Sequence, residues 1–396
     1  MKNMFFVLFL ITLLCTATVS YGIPAFARQY KISCSTCHAP FPKLKPYGDE
    51  FAGNGMILEE EINERDFVTA GDDLLWLNKD FPVAVRLDAF AKAEDKPENK
   101  TDLQTPWGIK LLSGGPIYKN IGYYFYFYMS ESGEIAGIED AYVHFNNLFD
   151  MPLDIMVGQF QTCDPLMKRE LRLTYEDYFV YKLKPGASNT NLTYDRGIML
   201  NYTIDKTKTD IVAMLVNGNG KGEAENDSYD QDKYKNFGVR LKQDIGDLLS
   251  VGGFYYYGKE SIGQGANKIS IYGPDCNAVV GPLELTFQYL VRVDDNPDGL
   301  QAAPAEDVQT TGTVIELMYS PHLDRSRLFL IALYNKYDSD DFLLPGSVDM
   351  MTCLEYESFT LGATYLLHRN LRLGAEITRN ISDDGNRFIL GLTTGF

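Results

Sequence analysis

The stretch Leu283-Glu284-Leu285-Thr286-Phe287-Gln288-Tyr289-Leu290-Val291-Arg292-Val293 places apolar residues at 283, 285, 287, 289, 291 and 293, with Glu284, Thr286, Gln288 and Arg292 between them. A period of two means a strand, because successive strand side chains point to opposite faces. The same rhythm runs through Val83 to Ala91 against Arg86, Asp88 and Lys92. It recurs in Ile121 to Met129 against Gly122, Tyr124, Tyr126 and Tyr128. Phe359 to Leu367, Leu371 to Ile377 and Phe388 to Leu392 repeat it toward the C-terminal Phe396. Segments of about 10 residues, apolar on one face and polar on the other, carry the pattern of strands that cross a bilayer. A tilted strand needs about 9–11 residues for that crossing. A soluble sandwich also alternates, but with far fewer long strands.

Connection lengths give a second reading of the same architecture. Backward from Phe396, long connections near 381–385, 338–355, 294–309, 260–266, 219–233 and 161–193 alternate with short ones. The short set lies near 369–370, 321–325, 277–281, 245–247, 205–207 and 147–151. Upstream, 94–104 is long and polar, 113–118 short and 132–135 a tighter outer turn. Membrane barrels alternate short periplasmic turns with longer external loops. The expected fold is therefore all-β: a transmembrane antiparallel barrel of about 16 strands over 81–396, an even number as bacterial barrels prefer. That parity puts the start of the first strand and the C-terminus on the periplasmic side.

Composition agrees. The chain has 26 Tyr, 23 Phe and only 2 Trp, and no run of about 18 apolar residues beyond the N-terminus. Its net charge of −18 argues against nucleic acid as a partner. Acidic blocks such as Asp227 to Asp232, Asp294-Asp295 and Asp338 to Asp341 read as solvated loops. Divalent cations bridging such loops to surface polysaccharide form the sharper alternative. Cys163, Cys276 and Cys353 are widely spaced and give no disulfide framework; each reads as an isolated buried thiol.

The N-terminus has a different grammar. Lys2, an apolar run from Met4 to Cys15 and small residues up to Gly22 form the n, h and c regions of a secretory signal over 1–22. After it comes Cys34-Ser35-Thr36-Cys37-His38. C-x-x-C-H is the attachment sequence for c-type haem: two thiols add to the haem vinyl groups and the adjacent imidazole becomes the proximal iron ligand. The export signal fits, since such haem is attached outside the cytoplasm. An exported disulfide or an incidental CxxC is the alternative. The compact region from Ile23 to about Met56 is too short to bury a core alone. A covalent haem would supply apolar mass, with Phe26, Phe41, Tyr47 and Phe51 as its walls. A charged stretch from Glu59 to Asp80, expected to be partly helical, links this segment (23–80) to the barrel.

With these residues in view, the chain resembles outer-membrane proteins in which an N-terminal monohaem cytochrome c segment is fused to a porin-like β-barrel. The resemblance is carried by Pro24-Ala25-Phe26-Ala27-Arg28, the Cys34 to His38 motif, Phe41-Pro42-Lys43-Leu44 and Tyr47-Gly48. In the barrel, Val157-Gly158-Gln159-Phe160 and Asp195-Arg196-Gly197-Ile198-Met199-Leu200 look like elements of phosphate-selective and related porins. The resemblance implies one haem c and electron transfer at the outer membrane of a Gram-negative bacterium. It leaves the distal ligand open.

Cys34, Cys37 and His38 are the expected haem-binding residues, with Met56, 18 residues beyond His38, as the local choice of distal ligand. His/Met ligation would raise the reduction potential relative to His/His. His322 and His368, in short turns, are alternatives, as is an open sixth site; His144, in phase with Tyr142 on a strand, reads as structural. Two functions follow. One is electron transfer at the periplasmic face or across the membrane, with periplasmic redox proteins as partners. Crossing would need the haem segment inside the lumen and an extracellular cytochrome partner, since an apolar band about 25 Å tall exceeds one comfortable tunnelling step. The other is a porin for small solutes, with the haem segment as plug, gate or redox sensor. Arg86, Arg240, Lys242, Arg292 and Arg372 would favour anions, while Asp88, Glu284 and Glu376 face the same way. Catalysis is not expected: no HExxH, GxSxG or phosphate loop is present.

Overall fold

The computed structural model describes residues 25–58, 67–79, 81–96, 100–163, 165–300, 307–343 and 351–396. The signal sequence over 1–22 lies outside them. The barrel strands are β1 (Val83–Glu94), β2 (Lys100–Tyr118), β3 (Ile121–Glu131), β4 (Gly137–Phe145), β5 (Leu153–Gln161) and β6 (Tyr194–Ile204). They continue as β7 (Thr209–Val216), β8 (Asn236–Ile245), β9 (Leu249–Ile262), β10 (Gly265–Val280) and β11 (Leu283–Asp294). β12 (Val308–Tyr319), β13 (Leu328–Ser339), β14 (Glu355–His368), β15 (Leu371–Asn380) and β16 (Gly385–Gly395) complete the set. Each pairs antiparallel with its sequence neighbours, and β16 pairs with β1 to close a barrel of 16 strands. Closure leaves no strand edge, which lets backbone polar groups sit in hydrocarbon fully paired.

The alternation has the polarity of a membrane barrel. Leu285, Leu361, Phe388 and Leu390 point outward and are exposed, whereas Arg86, Gln288, Arg292 and Glu376 point inward and are buried. The expected connections are right in order and loose in extent. Residues 100–104 and 113–118 belong to β2, a strand of 19 residues, and the turn falls at 119–120. The connection near 260–266 shrinks to a turn at 263–264, where Gly263 has φ +53°. Polar residues facing a filled lumen are strand residues, so local polarity misplaces the ends.

Among the described residues, two segments fill the lumen. Residues 162–163 and 165–193, expected as part of an external loop, leave β5 at the long-loop end and turn inward. There, short 3-10 turns at Arg169–Leu171 and Phe179–Lys182 cross the barrel. Tyr178, Val180, Tyr181 and Leu192 join inward-facing Met214, Tyr256, Ile271, Leu290 and Val314 in one apolar core. Elsewhere the crossing is polar. Lys110 Nζ reaches Glu170 Oε2 at 3.3 Å, and Tyr178 OH donates to Glu316 Oε2 at 2.6 Å. The Tyr175 and Glu176 N–H groups donate to the Glu376 carboxylate at 2.7 and 3.1 Å, and Arg292 donates to the Leu183 and Thr190 carbonyls at 2.7 and 2.6 Å. The loop is thus tied to walls on opposite sides.

The other segment is N-terminal: α1 (Ala25–Tyr30), α2 (Cys34–Cys37) and α3 (Pro46–Gly53). In the linker, residues 59–66 and 80 lie outside the described set. The described remainder forms a two-residue antiparallel ladder, Phe67–Val68 with Leu77–Asn78, where partial helix was expected. Ala70 and Gly71 take positive φ in the intervening turn, and the Phe67 and Trp76 rings pack with centroids 4.2 Å apart.

Candidate haem-attachment site at the barrel mouth

Ser33 caps α2, accepting the Ser35 N–H at its side-chain oxygen, and the His38 N–H returns to the Cys34 carbonyl at 2.9 Å. One helical turn therefore sets Cys34 and Cys37 three residues apart on a shared face, with His38 directly beyond. Both thiols are free and partly exposed. Burial pushes each thiol above its usual range. His38 Nδ1 lies 2.9 Å from the Pro42 carbonyl. That bond fixes Nδ1 as the donor and leaves the Nε2 lone pair available, the arrangement by which histidine ligands are oriented on metals. Burial also lowers the His38 pKa to about 4, which keeps the ring neutral at pH 7. These features fit a covalent haem: two thiols, one oriented imidazole and an apolar bed beside them.

The bed is Tyr30, Phe51 and Met56, with Phe26, Cys37 and Tyr124 packed against it. Phe26 and Tyr30 meet Phe51 edge-on, with ring centroids 5.5 and 5.6 Å away. Phe41 packs edge-on against His38 at 5.3 Å. Tyr47, expected to be a wall, is exposed instead. Met56 is buried in this cluster, its carbonyl accepting the Tyr30 hydroxyl at 2.9 Å. Gly48 brings α3 against α2, where a Cβ would overlap the Cys37 carbonyl.

This segment lies inside the short-turn end of the barrel. Lys43 Nζ pairs with Glu316 at 2.9 Å and Glu284 at 3.2 Å, and Lys45 Nζ with Asp324 at 2.9 Å. These carboxylates hold the buried Lys43 ammonium well above its usual pKa, outweighing the cost of burial. Lys168 in the crossing loop lies 3.8 Å from Asp49. Glycines at inward positions make the seat: Gly114 faces Phe26 and Gly395 faces Phe41, each ring atom 3.1 Å from where a Cβ would stand. A Cβ at Gly122 would overlap the Gly55 carbonyl. Those glycines were the sequence signal for a seated segment, legible only once the inward phase of β2, β3 and β16 is known.

The other expected residues are dispersed. His144 is buried, facing Gly55; among the described residues neither ring nitrogen is hydrogen-bonded, and Nε2 lies 4.0 Å from Asp154 Oδ2. His322 and His368 are exposed at the short-turn end. Cys163 is buried as expected, but Cys276 is partly exposed and Cys353 exposed, so the uniform reading as buried thiols fails for these two.

No known family and no curated protein matches this chain. Its fold has clear counterparts among solved structures. An anion-selective porin from Comamonas acidovorans aligns over 80% of this chain and 99% of its own, with TM-score 0.57 and 11% identity. The loop L8 deletion mutant of OmpT, an outer membrane protein of Vibrio cholerae, aligns over 80% and 99%, at 0.55 and 12%. The outer membrane channel DcaP of Acinetobacter baumannii aligns over 80% and 97%, at 0.55 and 16%. At such identities the likeness is one of fold: the chain is a closed 16-stranded barrel of the outer-membrane porin type.

Proposed function

We propose that this protein is an outer-membrane electron carrier in which one covalent haem c, borne by Cys34, Cys37 and His38, is held in the periplasmic mouth of a porin-type barrel. The observation that carries the reading is the seating of the motif segment inside the lumen, through Lys43 on Glu284 and Glu316. A haem held there supplies one-electron iron chemistry. The chain's own part is to orient His38 through the Pro42 carbonyl and to line the site with Phe41 and the Tyr30, Phe51 and Met56 cluster. Met56 is our choice of distal ligand, since it is buried in the cluster that Cys37 touches. The short turns share this end with the segment, which supports reading it as the periplasmic face. Partners are periplasmic redox proteins, and no catalytic step is assigned.

A second reading, a solute porin with the same segment as plug or gate, draws more directly on the comparisons, because the counterparts in fold are porins and channels. Optical spectra of the purified protein before and after dithionite test the first reading, and the spectrum of a c-type haem is expected. Bilayer conductance with that haem oxidised and then reduced separates the two. Redox-insensitive conductance without electron exchange to any cytochrome would leave only a porin.

A further inference from the structure

The lumen cations are not equivalent. Arg86 pairs with Asp88 at 3.0 Å, Arg240 Nε with Asp275 at 3.1 Å, Lys242 with Asp210 at 3.1 Å and Arg292 with Asp294 at 2.7 Å. Arg372 stands apart. It is 7% exposed and donates from Nη1 to the Leu173 carbonyl at 3.2 Å, while its Nε has no hydrogen-bond partner among the described residues. The carboxylates in its surroundings, Asp88 and Glu376, are engaged elsewhere. Asp88 serves Arg86 and Lys110, and Glu376 accepts the Tyr175 and Glu176 N–H groups beside Arg387. Arg86 and Arg172 add like charge nearby. A buried guanidinium left so poorly compensated is costly unless an anion completes it.

The wall beside it is hollowed. Thr364, Gly374 and Gly391 sit level on β14, β15 and β16, and a Cβ at Gly374 would meet nothing within 4 Å. Between them and the loop at Leu173 to Tyr175 is a cavity of about 30 Å³, bordered by Arg372, Thr364, Thr393 and Glu376. That is room for about two water-sized groups. We propose that Arg372 and this cavity form a binding site for a single carboxylate group, received by the guanidinium that borders the cavity. Glu376, four residues along the same strand, sets the selection, repelling a dianion where a monoanion is balanced by Arg372.

The carboxylate has two possible sources. A small solute in the lumen is one. A haem propionate is the other, and that source rests on the haem reading: Arg86 pairs across the strands with Gly395, on which Phe41 lies beside His38.

Calorimetric titration with sodium formate at constant ionic strength tests the site on the full chain in detergent. The wild type is compared with Arg372→Gln and with Cys34→Ala/Cys37→Ala, singly and combined, each shown folded by heat-modifiable gel mobility. Formate binding to wild type and to the thiol variant alike identifies a solute site, whether or not haem is present. Binding only to the thiol variant identifies a propionate as the natural occupant. In either case Arg372→Gln weakens binding roughly tenfold or more in the chain that binds. No binding to wild type or thiol variant, or binding undiminished by Arg372→Gln, overturns the proposal. Haem stain on the same samples reports independently on the haem reading.

Discussion

At the residue scale, the seat of the motif segment turns on Lys43 and on glycines that admit it. Lys43→Ala leaves the Glu316 carboxylate buried with Tyr178 as its remaining hydrogen-bond donor. Breaking a buried pair in this way costs about 3–5 kcal/mol. The expected result is a segment released from the wall, read as faster protease cleavage near α1 to α3 while the barrel stays heat-modifiable. Unchanged cleavage would show that the ion pair does not hold the segment. Gly48→Ala forces a methyl group into the Cys37 carbonyl. Overpacking of this kind costs about 1–3 kcal/mol. It should lower haem content per chain on a stained gel, and full haem content would contradict the close packing of α3 on α2. Met56→Ala should abolish the near-infrared charge-transfer band of a His/Met haem. A band that persists would exclude Met56 as ligand.

At the element scale, the crossing loop is the part that sequence reading misplaced. Strand phase was legible because each strand reports its own two faces: Leu283 and Leu285 outward, Glu284 and Gln288 inward, with no knowledge of partners needed. The loop's path depends on pairs far apart in the chain, Glu170 with Lys110 and Glu376 with Tyr175 and Glu176, and no local pattern marks them. The motif residues were legible for the opposite reason, since Cys34, Cys37 and His38 lie within one turn of chain. Their seat was not, because Lys43 finds Glu284 and Glu316 only after the barrel closes. Glu376→Ala tests the loop. It leaves two N–H groups unpaired, each costing about 1–3 kcal/mol when buried. Single-channel records should show larger or noisier conductance than wild type; identical records would mean that the loop is held without Glu376.

At the scale of the whole molecule, the structure is a closed wall with two fillings that meet at Asp49 and Lys168. Apolar residues on the outside and a tied, largely polar interior are what a bilayer demands of such a barrel. The proposed function requires that the filling at the mouth carry haem bonded to the chain. Haem-stained denaturing gels, run with and without boiling on protein from cells that mature c-type cytochromes, test this most directly. The expected result is peroxidase stain that follows the polypeptide from its fast, folded position to its slow, unfolded one and disappears in Cys34→Ala/Cys37→Ala. A barrel that shifts on boiling in the same way but never takes the stain would contradict it.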